Sequence, residues 1–350
     1  VSAASEARAH PPLRTVRAGG VSFRLNLRTL GLVGLAAAAL FALAAWSLTL
    51  GSFPIPLEGV LRAVLGRGSE DHEFIVRTLR LPRLLSALMV GAALAMSGAI
   101  FQGLVRNPLV SPDIIGINQG ATLVAVFWIV TGQGRTTLAP VAFAGAVAAA
   151  LAVYLLSWRG GVAPNRLVLV GIGLNAALAA GTTYLLVRFP IEQVGAAVAW
   201  SAGSVYASTW SDVTTLGAAL AILTPAAMVL MWHLRILQFG DDTATSLGLP
   251  VEATRLTLVL VGCGFSAIAV GLAGPIGFVA LMVPHVARML AGAMTASVLV
   301  LTALLGAIML LASDVVGQYF LPVTLPVGVI TAVVGAPYFL FLLYRSNVRL

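Results

Sequence analysis

Few residues in this sequence could do chemistry, and their spacing gathers none of them into a reactive group. The four histidines are His10, His72, His233 and His285, and the single cysteine is Cys263. They do not form a Cys/His cluster with metal-site spacing, so no metal site is expected. Cys263 lies in an apolar run, where a thiol behaves as a small inert hydrophobe, and it excludes an intrachain disulfide. Every basic side chain is Arg, and the sequence contains no Lys. A phosphate-binding P-loop needs the Lys of its Gly-Lys-Ser/Thr ending, so any ATP that drives this protein is bound by another polypeptide.

Carboxylates inside apolar stretches are the remaining reactive groups, and there are two. Asp314 reads as a helix-end or interhelix hydrogen-bond acceptor, with an ion-coupling site as the sharper alternative. Asp113, after Ser111-Pro112, reads as a helix cap. Neither shows a second buried acid or base beside it, which argues against a proton relay. His285, with Arg288 one turn on, reads as a helix-end hydrogen-bonding group rather than a metal ligand.

The elements that would position these groups are membrane spans. Of 350 residues, 59% are hydrophobic and 9% charged, against about 25% charged in a soluble domain. Too few charges remain to build a water-facing surface. Ten apolar segments approach the roughly 20 residues that a spanning helix needs. They are residues 30–50, 82–105, 116–131, 137–158, 166–187, 212–232, 255–273, 276–290, 297–318 and 327–344. Gly and Ala recur within them, as in Gly91-Ala92-Ala93 and Gly98. Such small residues let helices approach where lipid supplies no hydrophobic drive between them, so the bundle is expected to be compact.

The net charge of +8 comes from arginines at the ends of these runs, which points to an anionic membrane surface and not to nucleic acid. Their bias places the N-terminus, and with an even span number the C-terminus, in the cytoplasm. Residues 1–29, polar, Arg-rich and Pro-containing, read as a mostly disordered cytoplasmic tail. Residues 30–350 then form one transmembrane domain. Trp200 and Trp210 fall in an outer connection and suit interfacial anchoring.

One inner connection is too patterned to be a plain linker. Around residues 238–250, Gly240 precedes Asp241 and Asp242, and Gly248 and Pro250 end the stretch. Acids at the start with Gly and Pro at the finish predict a short helix at the cytoplasmic surface.

With these motifs in order, the sequence resembles the FecCD-like permeases, the membrane subunits of type II ABC importers for iron siderophores and vitamin B12. The resemblance covers about residues 50–345. It is carried by Leu79-Arg80-Leu81-Pro82-Arg83, by Ser97-Gly98 with Gln102, and by Arg106-Asn107-Pro108-Leu109 with Pro112-Asp113. Further along it is carried by Trp200 with Gly203-Ser204, Gly240-Asp241 with Ala244 and Leu247-Gly248, and Gly274-Pro275-Ile276-Gly277-Phe278 with Pro284-His285. Leu325-Pro326-Val327-Gly328 with Gly335-Ala336-Pro337 completes the set.

The resemblance implies an all-α polytopic fold of about ten transmembrane helices in a bacterial cytoplasmic (inner) membrane. It implies a second permease subunit, two cytoplasmic ATPase subunits and an extracytoplasmic substrate-binding protein. This chain would bind no cofactor; ATP and magnesium belong to the ATPase. Binding-protein docking would fall on Arg80 and Arg83, and the cytoplasmic gate on Asn107 and Leu109. ATPase coupling would fall on Gly240, Asp241, Ala244, Leu247 and Gly248. Family members often carry an Arg where this sequence has Gln318 and an acid where it has Thr324, which favours a heterodimer with a complementary subunit. Ferric-siderophore import is the first reading, and vitamin B12 or haem import the alternative within the class. The rivals from other classes are an ion-coupled secondary transporter, which would need no partner ATPase, and a membrane enzyme, which lacks a catalytic cluster.

Overall fold

The computed structural model describes residues 13–18, 21–134, 137–159 and 161–347. Fourteen helices appear among them, and eight are long and apolar enough to cross a membrane. The spans are α1 (Leu27–Thr49), α4 (Leu81–Val105), α6 (Leu138–Leu156), α7 (Pro164–Arg188), α9 (Trp210–Leu237), α11 (Val251–Ala273), α13 (Ala296–Tyr319) and α14 (Val327–Asn347). Two shorter apolar helices, α5 (Ile117–Val130) and α12 (Val279–Ala291), correspond to the expected segments 116–131 and 276–290. Both fall below full spanning length. The chain is a multi-pass membrane protein.

The short helices have a common cause. Each follows a non-helical stretch, residues 106–116 before α5 and 274–278 before α12. Val110, Ser111, Ile115 and Ile276 in these stretches are buried. Irregular backbone at membrane depth is tolerated only where protein or a water-lined cavity surrounds it.

Helix α4 is the centre of the bundle. It packs on α13, α11, α12 and α9, and most of its side chains are buried. Its glycines make this possible. A Cβ on Gly91 would lie 2.3 Å from the Gly306 carbonyl oxygen of α13, and one on Gly98 would lie 1.8 Å from that of Ala280 in α12. Gly120 and Gly145 bring α5 and α6 together in the same way. Polar contacts fill the remaining gaps: the Ser97 hydroxyl donates to the Gly262 carbonyl at 2.6 Å, and that of Ser266 to Asn118 at 3.0 Å. By contrast α1, α7, α9 and α14 leave most of their surface open to lipid or a partner.

Several elements were not foreseen. Helix α2 (Leu57–Val64), α3 (Glu70–Glu73) and a π-helical stretch, Phe74–Arg80, precede α4. Helix α8 (Ile191–Ser201) occupies the connection assigned to an interfacial loop. Trp200 ends in α8, and the Trp210 indole donates to the Arg77 carbonyl at 2.9 Å. Part of the expected disordered tail is a hairpin, β1 (Leu13–Ala18) antiparallel to β2 (Val21–Asn26), and α1 begins at Leu27. The alternation Val-Ser-Phe-Arg-Leu-Asn in β2 is a period-2 strand pattern that a composition reading passes over. Residues 1–12 lie outside the described residues.

Candidate functional site

Arg80 and Arg83 stand at the start of α4, where Pro82 suits the first helical turn. Neither guanidinium is a free rim charge. Arg80 donates to the carbonyls of Leu48 and Phe53, both at 2.6 Å, and so closes the α1–α2 connection. Arg83 makes a bidentate pair with Asp314 of α13, Nε to Oδ2 and Nη2 to Oδ1, both 2.8 Å. The two side chains are only 15% and 9% exposed. Tyr206 lies over the Arg83 guanidinium at 5.3 Å. Asp314 therefore does have a charged partner, contrary to the sequence expectation. The signal was present: an ionisable group in a span needs a partner, and Arg83 and Asp314 fall at the same end of two spans.

At the opposite end of α4, Arg106 ends the helix in a left-handed conformation, φ 56°. Its guanidinium donates to the Leu237 carbonyl at the end of α9. Asn107 turns the chain back on itself, its side-chain oxygen accepting from the Leu109 N–H at 2.9 Å. Asn107 is exposed and Leu109 half-buried, so this turn is accessible where α4 gives way to the buried stretch before α5.

The expected surface helix is α10 (Asp241–Ser246), beside the same end of α4. Gly240 and Gly248 flank it at φ 105° and 81°, a region only glycine enters without strain. No neighbouring atom restricts space at either glycine. The backbone angle, not crowding, requires them.

The residues on and beside α10 expected to couple to an ATPase point different ways. Ala244 has no exposed surface, so it packs within this chain and cannot lie on an outer contact face. Its side chain faces the bundle, since on a single turn of helix one face must cover it. Leu247 is 65% exposed and Phe239, just before Gly240, is 75% exposed. Asp241 takes two hydrogen bonds from Arg255 Nη2, at 2.6 and 2.8 Å.

Arg255 and its neighbour were missed by sequence reasoning. Arg255 is buried on α11 and also donates to Glu252 at 3.0 Å. Glu252 in turn accepts from the Val162 N–H at 3.2 Å, in the α6–α7 connection. A cleft of about 510 Å³ opens between these parts, lined by Arg106, Asn165, Asp241, Asp242 and Arg255 among others. A third network joins α4 to α12. Pro284 supplies no N–H to the Ala280 carbonyl, and the Gln102 amide donates instead to Ala280 and Leu281, at 3.5 and 2.9 Å. Arg288 then donates to the Gln102 oxygen at 2.5 Å.

No group of three or more His, Cys, Asp or Glu is placed to hold a metal among the described residues.

The chain is 41% identical over 304 residues to the ferric enterobactin transport system permease protein FepG of Escherichia coli (strain K12), covering 86% of this chain and 92% of that protein. It is 39% identical over 335 residues to the achromobactin transport system permease protein CbrC of Dickeya dadantii (strain 3937), covering 95% and 96%. Among solved structures it superposes with a TM-score of 0.83 and 28% identity on an inward-facing conformation of a protein described as a metal-chelate type ABC transporter, covering 90% of this chain and 99% of that one. The FecCD transport family matches residues 39–345, and this chain belongs to it.

Proposed function

We propose that this chain is the membrane-spanning permease subunit of an ATP-binding cassette importer that carries a ferric siderophore across the bacterial cytoplasmic membrane. The observation that carries the reading is likeness along nearly the whole chain to permeases named for ferric siderophore systems. ATP hydrolysis belongs to separate subunits, in keeping with a sequence that has no Lys for a P-loop. A binding protein delivers the substrate on the opposite side. Both termini lie in the cytoplasm, so the α10 end of the bundle is the inner end.

In this reading Leu247 and Phe239 are the apolar contact for the ATPase, flanked by the Gly240 and Gly248 turns. Asp241 and Ala244 serve by holding α10 in place. Asn107 and Leu109 form the inner gate at the turn after α4. Arg80 and Arg83 act at the binding-protein end chiefly by fixing the backbone and the α4–α13 contact, with Arg83 also presented beside Tyr206. A complementary second permease subunit, compensating for Gln318 and Thr324, completes the pathway.

Uptake by cells lacking this chain tests the substrate class. Complementation should restore accumulation of a ferric siderophore and leave vitamin B12 and haem uptake unchanged. Restored vitamin B12 uptake with no ferric-siderophore accumulation would move the chain to the alternative.

A further inference from the structure

The end of the bundle that carries α10 holds two links across one cleft. The first is the Arg106 bond to the Leu237 carbonyl, which ties the gate turn to the end of α9. The second is longer. Asp241 of α10 is gripped by Arg255, Arg255 grips Glu252, and Glu252 accepts from the Val162 backbone.

The second link is anchored by a buried arginine, at 8% exposure, while its carboxylates Asp241 and Glu252 are 50% and 38% exposed. Arg255 is buried, and its planar fork reaches two carboxylates at once. Nη2 donates to both oxygens of Asp241 and Nη1 to Glu252, and such charge-assisted bonds are stronger than neutral ones. Glu252 is held on both sides, because Gly161 leaves just enough room: a Cβ there would lie 3.0 Å from the carboxylate. Gly161 also sits at φ 137°, so a larger residue would be strained as well as crowded. Val162 leads directly into α7. Helix α7 in turn meets the stretch before α5, where a Cβ on Gly171 would lie 2.9 Å from Ile115 and one on Gly116 would lie 3.2 Å from Asn175. That stretch begins at Asn107 and Leu109.

Resting on the permease reading above, we propose that Arg255 and Glu252 are positioning residues that carry the displacement of α10 to the α6–α7 connection, and through α7 to the gate stretch. Neither touches substrate or nucleotide. Their part is to make the position of the ATPase contact and the position of the gate one variable.

The test uses the complete transporter, with its ATPase subunits and binding protein, in liposomes. ATP hydrolysis and ferric-siderophore uptake are measured together. Glu252→Ala should leave ATP hydrolysis within about twofold while uptake per ATP falls at least fivefold, the low end of ordinary coupling between sites. Glu252→Gln should fall between, since its amide oxygen still accepts from Val162 while the charge for Arg255 is gone. Arg255→Lys should resemble Glu252→Ala, because an ammonium does not span both carboxylates. Equal loss of hydrolysis and uptake, or no change in either, overturns the proposal. If Glu252→Ala does not assemble, the isosteric Glu252→Gln decides by the same ratio. The unaltered transporter separates this from the broader reading: no ATP-driven uptake there sinks the permease assignment, whereas a normal parent with an unchanged ratio in the variants sinks only the linkage.

Discussion

Arg83 and Asp314 hold α4 and α13 together through two 2.8 Å hydrogen bonds although 231 positions separate them in sequence. This pair replaces the picture of an arginine reaching freely into water.

Breaking it should be costly. Removing one partner of a buried pair leaves the other charge uncompensated, at about 3–5 kcal/mol. Asp314→Ala or Arg83→Ala should therefore lower the midpoint of thermal unfolding in detergent substantially. Arg83→Met with Asp314→Leu should recover much of it, because an apolar pair of similar volume avoids the desolvation cost. A double variant as unstable as the two singles combined would show that the pair is not coupled.

The same geometry changes how docking is tested. Reversing Arg80 and Arg83 together would break the fold before it reports on a partner. Arg80→Gln is the cleaner probe, since it keeps a donor for the Leu48 or Phe53 carbonyl. Binding-protein affinity should drop in this variant, because half-buried Arg80 still adds positive charge to that end of the bundle, and the gap should narrow with salt, which screens such fields over about 10 Å at 0.1 M. Affinity unchanged at low salt would confine Arg80 to closing the α1–α2 connection.

The glycine contacts give a prediction on folding. Gly98→Val should abolish insertion of a monodisperse protein, because the Ala280 carbonyl already fills the place of a Cβ. Gly173→Ala, with nothing within 4 Å, should be tolerated. Size-exclusion profiles of the two variants decide the matter; similar profiles would mean that the close α4–α12 approach is not needed.

Surface apolar contact at α10 yields a fourth test. Leu247→Asp should keep the permease folded and abolish co-purification of the ATPase. Ala244→Trp is a poor docking probe, because the bulky ring would displace α10 from its own bundle. Retained co-purification with Leu247→Asp would remove that residue from the interface.

Much of this arrangement could be read from residues alone, for physical reasons. A span announces itself by apolar length, so the ten segments reappear as eight long helices and two shorter ones. The α10 helix was legible because Gly240, two acids and Gly248 mark its ends locally. The Arg83–Asp314 and Arg255–Glu252 pairs were not, because partner choice depends on which spans become neighbours. Helix α8 and the π-helical stretch before α4 were also hidden: a π turn has no sequence signature, and α8 is merely apolar. The inward direction of Ala244 likewise follows from how α10 lies on the bundle, which periodicity over six residues does not fix.

In the proposed function, separate ATPase subunits drive uptake through this chain. The most direct measurement is uptake of a labelled ferric siderophore into liposomes holding the complete transporter, with and without internal Mg-ATP. Accumulation is expected only with ATP and all subunits present, insensitive to ionophores, with no ATP hydrolysis by this chain alone. Accumulation by the chain without its ATPase, collapsing when an ion gradient is discharged, would contradict it.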